Sequence, residues 1–120
     1  MEILVVDDEP AVVAFIERVL KLSGSRTRGT ADSTHALRIA DQQMFDLLVT
    51  DVVMPTLSGP QLAQKVRARH PGVRVLYFTG DSGRLFDAIP QLLESEAFLD
   101  KPSGVKELLD AVSSLASRCC

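Results

Sequence analysis

LLVTDVVMP, residues 47–55, places a single carboxylate, Asp51, at the end of a short apolar run. Leu47, Leu48 and Val49 lead through Thr50 into the acid, and Val52 and Val53 follow it. A run this short and β-prone suits a strand covered on both faces. An unpaired charge at the end of such a strand carries a desolvation penalty of several kcal/mol. Asp51 therefore either meets an opposite charge or emerges at the strand's end to do chemistry.

Outward from this stretch the apolar residues alternate between two periods. Ile3, Leu4, Val5 and Val6 form another continuous run. Pro10 suits a first helical turn, and Val12, Phe15, Ile16, Val19 and Leu20 follow at helical spacing until Ser23-Gly24. Residues 25–30 are polar and read as a weak edge strand. Asp32 or Ser33 can cap a second helix that buries Ala36, Ile39 and Ala40. After residues 47–50, Ser58-Gly59-Pro60 opens a helix through Leu62, Ala63 and Val66 that must stop near His70-Pro71. Residues 73–78 form the next strand and 97–99 a short last one. Val105, Leu108, Leu109, Val112, Leu115 and Ala116 mark a closing amphipathic helix. Between Arg84 and Glu94 the spacing is helical, but Pro90 breaks it, so a short helix, or one that starts late at Pro90, is expected. Five alternations of strand and helix predict an α/β domain: a parallel sheet between helices, with right-handed crossovers.

The chain has 120 residues, 46% apolar and 24% charged, enough for one domain with its own core. A net charge of −3 gives no electrostatic footprint for nucleic acid. No apolar run reaches membrane-span length, and Glu2 sits where a secretory leader needs basic residues, so no membrane contact and a cytoplasmic location are expected. Cys119 and Cys120 are adjacent and read as free thiols on a frayed tail. The fold is expected to use residues 1–117, with 118–120 as that tail and no room for an output domain.

In a parallel sheet all carboxyl ends of strands share one edge, and ligands bind there. Asp7 and Asp8 follow the first strand, Asp51 the third, Thr79 the fourth and Lys101 the fifth. Three acids, a hydroxyl and an ammonium thus converge. Two carboxylates 4 Å apart repel by about 1 kcal/mol in water and about 4 at an effective dielectric of 20. A hard divalent cation relieves that repulsion, and Mg2+, which takes few carboxylates and keeps several waters, fits best. An ionised Asp is a competent nucleophile toward phosphorus. The cation and Lys101 would neutralise phosphoryl oxygens, and Thr79 would donate to one.

With VVDDEP at 5–10, TDVVMPTLSG at 50–59, VLYFTG at 75–80 and FLDKP at 98–102, the sequence resembles the receiver domain of two-component response regulators over essentially its full length. The resemblance implies the flavodoxin-like (CheY-like) strand order 2-1-3-4-5, flanked by five helices; that order is inherited, not read from spacing. It implies Asp51 as phosphoacceptor from a histidine kinase or a histidine phosphotransfer domain. Asp8 and Asp51 would bind Mg2+ directly, Asp7 through water, and the Val53 carbonyl would complete the protein ligands. Thr79 matches the switch hydroxyl, Phe98 the aromatic whose rotamer tracks it, Lys101 the family lysine, and Lys101-Pro102 the cis bond that aims it. The switched face would comprise the fourth helix, fifth strand and fifth helix, also a possible homodimer surface. The wording of 50–63 and 74–80 looks most like receivers of hybrid sensor histidine kinases; a single-domain regulator is the other expectation. Gly80, Ser103-Gly104 and Pro90 depart from the family pattern.

Each residue alone has a plainer reading: Asp7-Asp8 as a helix start, Lys101 as a surface lysine, Thr79 as strand composition, Phe98 as core. Their coincidence on one edge favours the receiver. A dehalogenase-type phosphatase needs a second acid two residues after the nucleophile, where Val53 stands. A flavin module needs a hydroxyl-rich loop after the first strand, and a degenerate receiver acting only in dimerisation would not need the intact acids. His35 and His70 have no metal-ligand spacing, and His70 is expected to complement a helix dipole. Arg67, Arg69, Arg74 and Arg84 are expected on a solvated face.

Overall fold

The structure, a computed structural model, describes residues 1–89, 91–101 and 103–117. In chain order the elements are β1 (Glu2–Val6), α1 (Pro10–Leu22), β2 (Arg26–Thr30), α2 (Ser33–Gln42), β3 (Leu47–Thr50), α3 (Gly59–Arg69), β4 (Arg74–Thr79), α4 (Ser82–Ala88), β5 (Glu96–Asp100) and α5 (Val105–Ser117). The five strands are parallel in the order β2-β1-β3-β4-β5, as the resemblance implied. Val6 lies beside both Thr30 and Thr50, and Thr50 beside Tyr77, so β1, β2 and β3 end level with one another.

Period-two alternation sends each strand's side chains into two separate cores. Ile3, Val5, Leu47, Val49, Leu76 and Phe78 meet α1 and α5 through Ile16, Leu20, Leu108 and Leu115. Leu4, Val6, Leu48, Val75 and Tyr77 meet α2, α3 and α4 through Ile39, Leu62, Val66 and Leu85. Burial on both faces is why β1 and β3 read as unbroken apolar runs. β2 has no fully buried residue and pairs with β1 alone, as suits an edge. Gly29 lets it approach α1: a Cβ there would sit 2.5 Å from Val13 Cγ1.

Local chemistry sets the helix ends. Asp32, not Ser33, caps α2, accepting from the Thr34 and His35 amides. Ser58 and Gln61 form a reciprocal capping box at α3, satisfying two otherwise unpaired donors. Asp81 caps α4 through the Arg84 amide. α4 is short, as expected, and ends at Ala88, with Ile89 extended at φ −133° and ψ 99°. A residue before proline is disfavoured in the helical region, which accounts for that stop. The alternative of a start at Pro90, the Lys101-Pro102 bond and the tail at 118–120 with both cysteines lie outside the described residues.

Two polar residues at the far side of the sheet are more buried than their types suggest. His70 stands at the end of α3, where the sequence put it, and is 6% exposed; its Nε2 lies 2.7 Å from the Ala40 carbonyl and its ring meets Phe45 edge-on, so it also fastens α3 to α2. Arg67 is not on a solvated face. Its guanidinium donates to Glu96 Oε2 at 2.5 Å, where Tyr77 Oη also donates at 3.3 Å, and Glu96 Oε1 accepts from the Leu93 amide. Glu96 is 5% exposed, and a buried carboxylate keeps its charge only against such donors. Burial, then the Glu96 charge, pushes the Tyr77 phenol far above its ordinary value. Arg67→Ala strips that carboxylate of its guanidinium and should cost about 3 kcal/mol in urea unfolding. A loss below about 0.5 kcal/mol would show that the pair contributes no more than an exposed one.

Candidate functional site

β1 and β3 run side by side and deliver Asp7 and Asp51 one residue past their ends. Asp51 is held by its backbone, whose amide donates to the Val6 carbonyl at 3.0 Å. Its Oδ1 accepts from the Val52 amide at 2.7 Å, and its carbonyl accepts from Thr50 Oγ1 at 2.9 Å. Asp7 is 1% exposed, with Oδ1 accepting from the Glu9 amide at 2.9 Å. Asp8 is exposed beside it. One carboxylate oxygen from each of Asp7, Asp8 and Asp51 lies within 4.8 Å of the others, an all-oxygen donor set that suits a hard divalent cation.

Lys101 answers the question raised by the isolated acid in LLVTDVVMP. Its Nζ lies 2.7 Å from Asp7 Oδ2 and 3.4 Å from Asp51 Oδ2, and 5.7 Å from the centre of the Phe78 ring. Its amide donates to the Thr79 carbonyl at 2.7 Å, which continues the β4–β5 pairing and aims the side chain inward. The Asp7 carboxyl is raised above its ordinary value by burial, which outweighs the Lys101 and Glu9 hydrogen bonds; the Asp51 charge adds to the rise. For Lys101, burial pulls the ammonium down, but the hydrogen bond and charge of Asp7, with Asp51 behind them, hold it above its ordinary value.

Of the remaining residues named from sequence, Thr79 and Val53 fall on the same edge, while Phe98 stands in the middle of β5. Thr79 is 1% exposed, and its Oγ1 accepts from the Asp81 amide at 3.0 Å. Val53 projects its side chain outward, 44% exposed. Phe98 is 38% exposed and packs perpendicular to Phe86 with ring centres 5.2 Å apart, so the plain core reading of Phe98 is wrong.

Three residues that shape the site had no chemical signal in the sequence. A Cβ at Gly59 would lie 2.1 Å from the Asp51 carbonyl oxygen, so only glycine lets the start of α3 close on the acid's backbone. Asp81 both caps α4 and holds the Thr79 hydroxyl. Ser33, relieved of capping by Asp32, reaches the β3–α3 loop. Gly59 and Ser33 were visible only as helix-start residues.

Residues 3–113 match the family described as response regulator receiver domain. The transcriptional regulatory protein TcrX of Mycobacterium tuberculosis, described as probable, is 30% identical over 117 residues, 97% of this chain and 50% of that protein. The chain thus spans about half the length of that relative. Among solved structures, the receiver domain of the hybrid histidine kinase CckA superposes with a TM-score of 0.81 at 32% identity, covering 96% of this chain and 98% of that one. The response regulator TrrA of Thermotoga maritima, solved with Mg2+ and BeF, gives 0.79 at 25% identity, covering 95% and 97%.

Two predictions follow from this geometry. Folded Asp7 holds its proton to higher pH than unfolded Asp7, so in metal-free protein its contribution to stability falls as pH rises through that window. Lys101, also raised, follows the same sign at higher pH: its contribution is whole below about 10.5 and is lost as pH rises through its higher folded value. Urea unfolding without metal should therefore favour Asp7→Asn over wild type increasingly as pH rises above about 4, the unfolded carboxyl's value; a constant difference refutes it. Gly59→Ala should destabilise by about 1–3 kcal/mol through overpacking against Asp51, and wild-type stability would show that the helix start can move freely.

Proposed function

Because the chain belongs to the response regulator receiver domain family, a signalling module of two-component systems, we propose that Asp51 is its phosphoacceptor and that Asp7, Asp8, Asp51 and the Val53 carbonyl hold Mg2+. The observation carrying this reading is the Lys101 ammonium set between Asp7 and Asp51 beside the three-carboxylate cluster. When bound, Mg2+ supplies positive charge to phosphoryl oxygens. The likeness to TrrA, solved with Mg2+ and BeF, supports that assignment.

An Asp51 carboxylate oxygen attacks phosphorus in line, forming the O–P bond as the P–N bond to a partner's histidine breaks. The imidazole leaves with the bonding electrons and takes a proton. Lys101 then pairs with a phosphoryl oxygen, and the Thr79 hydroxyl donates to another. The chain in this way assists its own phosphorylation and dephosphorylation without acting on external substrates. Thr79 Oγ1 already accepts from the Asp81 amide at the start of α4, so its movement is felt by the helix that carries Phe86. Phe86 packs on Phe98, which links the acceptor to the α4–β5–α5 face as a switched surface and a candidate homodimer contact.

The donor is a histidine kinase or a histidine phosphotransfer domain. A cleft of about 270 Å³ lined by Ala11, Val12, Phe15, Phe78, Lys101 and Ser103 opens beside the acceptor. It shares Phe15 with an apolar groove of about 380 Å³ that includes Leu22, Val105 and Leu109, a surface suited to a helix that presents the histidine. Among the described residues no helix is long and apolar enough to cross a membrane. We place the chain in the cytoplasm as a receiver of a hybrid histidine kinase or a single-domain regulator.

Acetyl phosphate with Mg2+ should add one phosphate to wild type and none to Asp51→Asn by intact mass. No addition to wild type, or equal addition to both, refutes the assignment. Asp8→Ala should weaken Mg2+ binding by calorimetry, and an unchanged affinity removes Asp8 from the ligand set. The Phe98 ring resonances should shift when beryllofluoride is added with Mg2+; fixed resonances would leave Phe98 outside the switch.

A further inference from the structure

The loop between β3 and α3 contains the single positive-φ residue other than glycine among those described, Thr56 at φ 72°. Its flanking groups are bonded to each other: the Leu57 amide donates to the Pro55 carbonyl at 2.9 Å. A two-residue bond closed over a positive φ is the strained form of γ-turn, and a β-branched residue makes it costlier. Strain of this kind persists only where surrounding structure over-determines it, and it clusters at functional sites.

Ser33 supplies that surrounding structure. It is 3% exposed at the start of α2, and its Oγ donates to the Pro55 carbonyl at 3.1 Å while accepting from the Leu57 amide at 3.3 Å. One hydroxyl thus grips both peptide groups on either side of Thr56, from 22 and 24 residues away. It is free to do so because Asp32 takes over the capping of α2. The gripped loop begins at Val52, whose amide bonds Asp51 Oδ1 and whose carbonyl accepts from the Gly59 amide at 2.8 Å. Val53 lies between those anchored ends and exposes its side chain, so its carbonyl direction depends on how the loop closes.

We propose that Ser33 is a positioning residue for the phosphoacceptor site: its hydroxyl latches the strained turn at Thr56 and thereby orients the loop that offers the Val53 carbonyl to the metal. The inference rests on the Mg2+ and Asp51 assignment above. Groups that orient a metal's ligands without touching the metal commonly govern affinity by ten- to a hundredfold. Ser33 would do so through the backbone.

Four measurements test it. Ser33→Ala should weaken Mg2+ binding by calorimetry at least about tenfold. In acetyl phosphate labelling it should raise the Mg2+ concentration needed for half-maximal rate while leaving the rate at saturating Mg2+ near wild type. Adding Thr56→Gly should recover most of the affinity, because glycine adopts the turn without strain and needs no latch. In the metal-free wild type, the Leu57 amide should exchange slowly with solvent although Thr56 beside it is exposed. A Ser33→Ala protein that is less stable but binds Mg2+ as wild type does, a Thr56→Gly substitution that restores nothing, or a fast-exchanging Leu57 amide in wild type overturns the latch. If Ser33→Ala does not fold, the double variant and the wild-type exchange measurement still decide. A wild type that neither binds Mg2+ nor labels at Asp51 removes the latch together with the assignment it rests on, whereas a functional wild type matched by Ser33→Ala removes the latch alone.

Discussion

Lys101 reaches back 94 residues to lie 2.7 Å from Asp7, and this contact lets a carboxylate sit at 1% exposure on the sheet's edge. The lysine follows β5 and the acid follows β1, with β3 and β4 between them. Bringing them together requires the whole parallel order to be in place. The contact does not neutralise the cost of burial, since Asp7 remains raised above its ordinary value. A buried carboxylate that its protein partners do not fully compensate is one that a cation can further stabilise.

The two ends of the sheet handle buried charge differently. At the far end Glu96 meets Arg67, Tyr77 and the Leu93 amide within 3.3 Å. At the acceptor end the donors to Asp51 are one amide and a lysine 3.4 Å away, which leaves the carboxylate room to gain a partner. Acid and base thus meet at both ends, in a tight cluster at one and a looser one at the other. Geometry separates them, because both sites hold acid beside base at buried strand ends.

Around the acceptor, close approach and strain are built into short segments. Gly59 brings α3 against the Asp51 carbonyl, Thr56 takes a left-handed φ, and Thr79 shares its hydroxyl with the cap of α4. α4 has only seven residues and stops at Ala88, so the helix that follows Thr79 is also a small one. Few backbone bonds need to break for such a helix to shift.

Alternating periods in residues such as Ile3–Val6 and Val12–Leu20 were enough to establish a parallel α/β domain, because strands buried on both faces and one-sided helices leave distinct repeats. Strand ends then placed Asp7, Asp8, Asp51, Thr79 and Lys101 on one edge, since a parallel sheet permits no other arrangement. Other features were invisible in one dimension. Whether Asp32 or Ser33 capped α2 was open, and only the packed loop shows that Ser33 is freed to grip Pro55 and Leu57. Arg67 looked like a surface residue and His70 like a plain helix end, because burial depends on which helix covers a position and not on the residue's own polarity. Sequence by itself determined the elements, their succession along the chain and the acid-rich edge, through local periodicity and chain direction, while the strand order in the sheet came from the family resemblance. Tertiary structure alone decided which polar groups meet, because hydrogen bonds and ion pairs depend on distances of an ångström between residues dozens of positions apart.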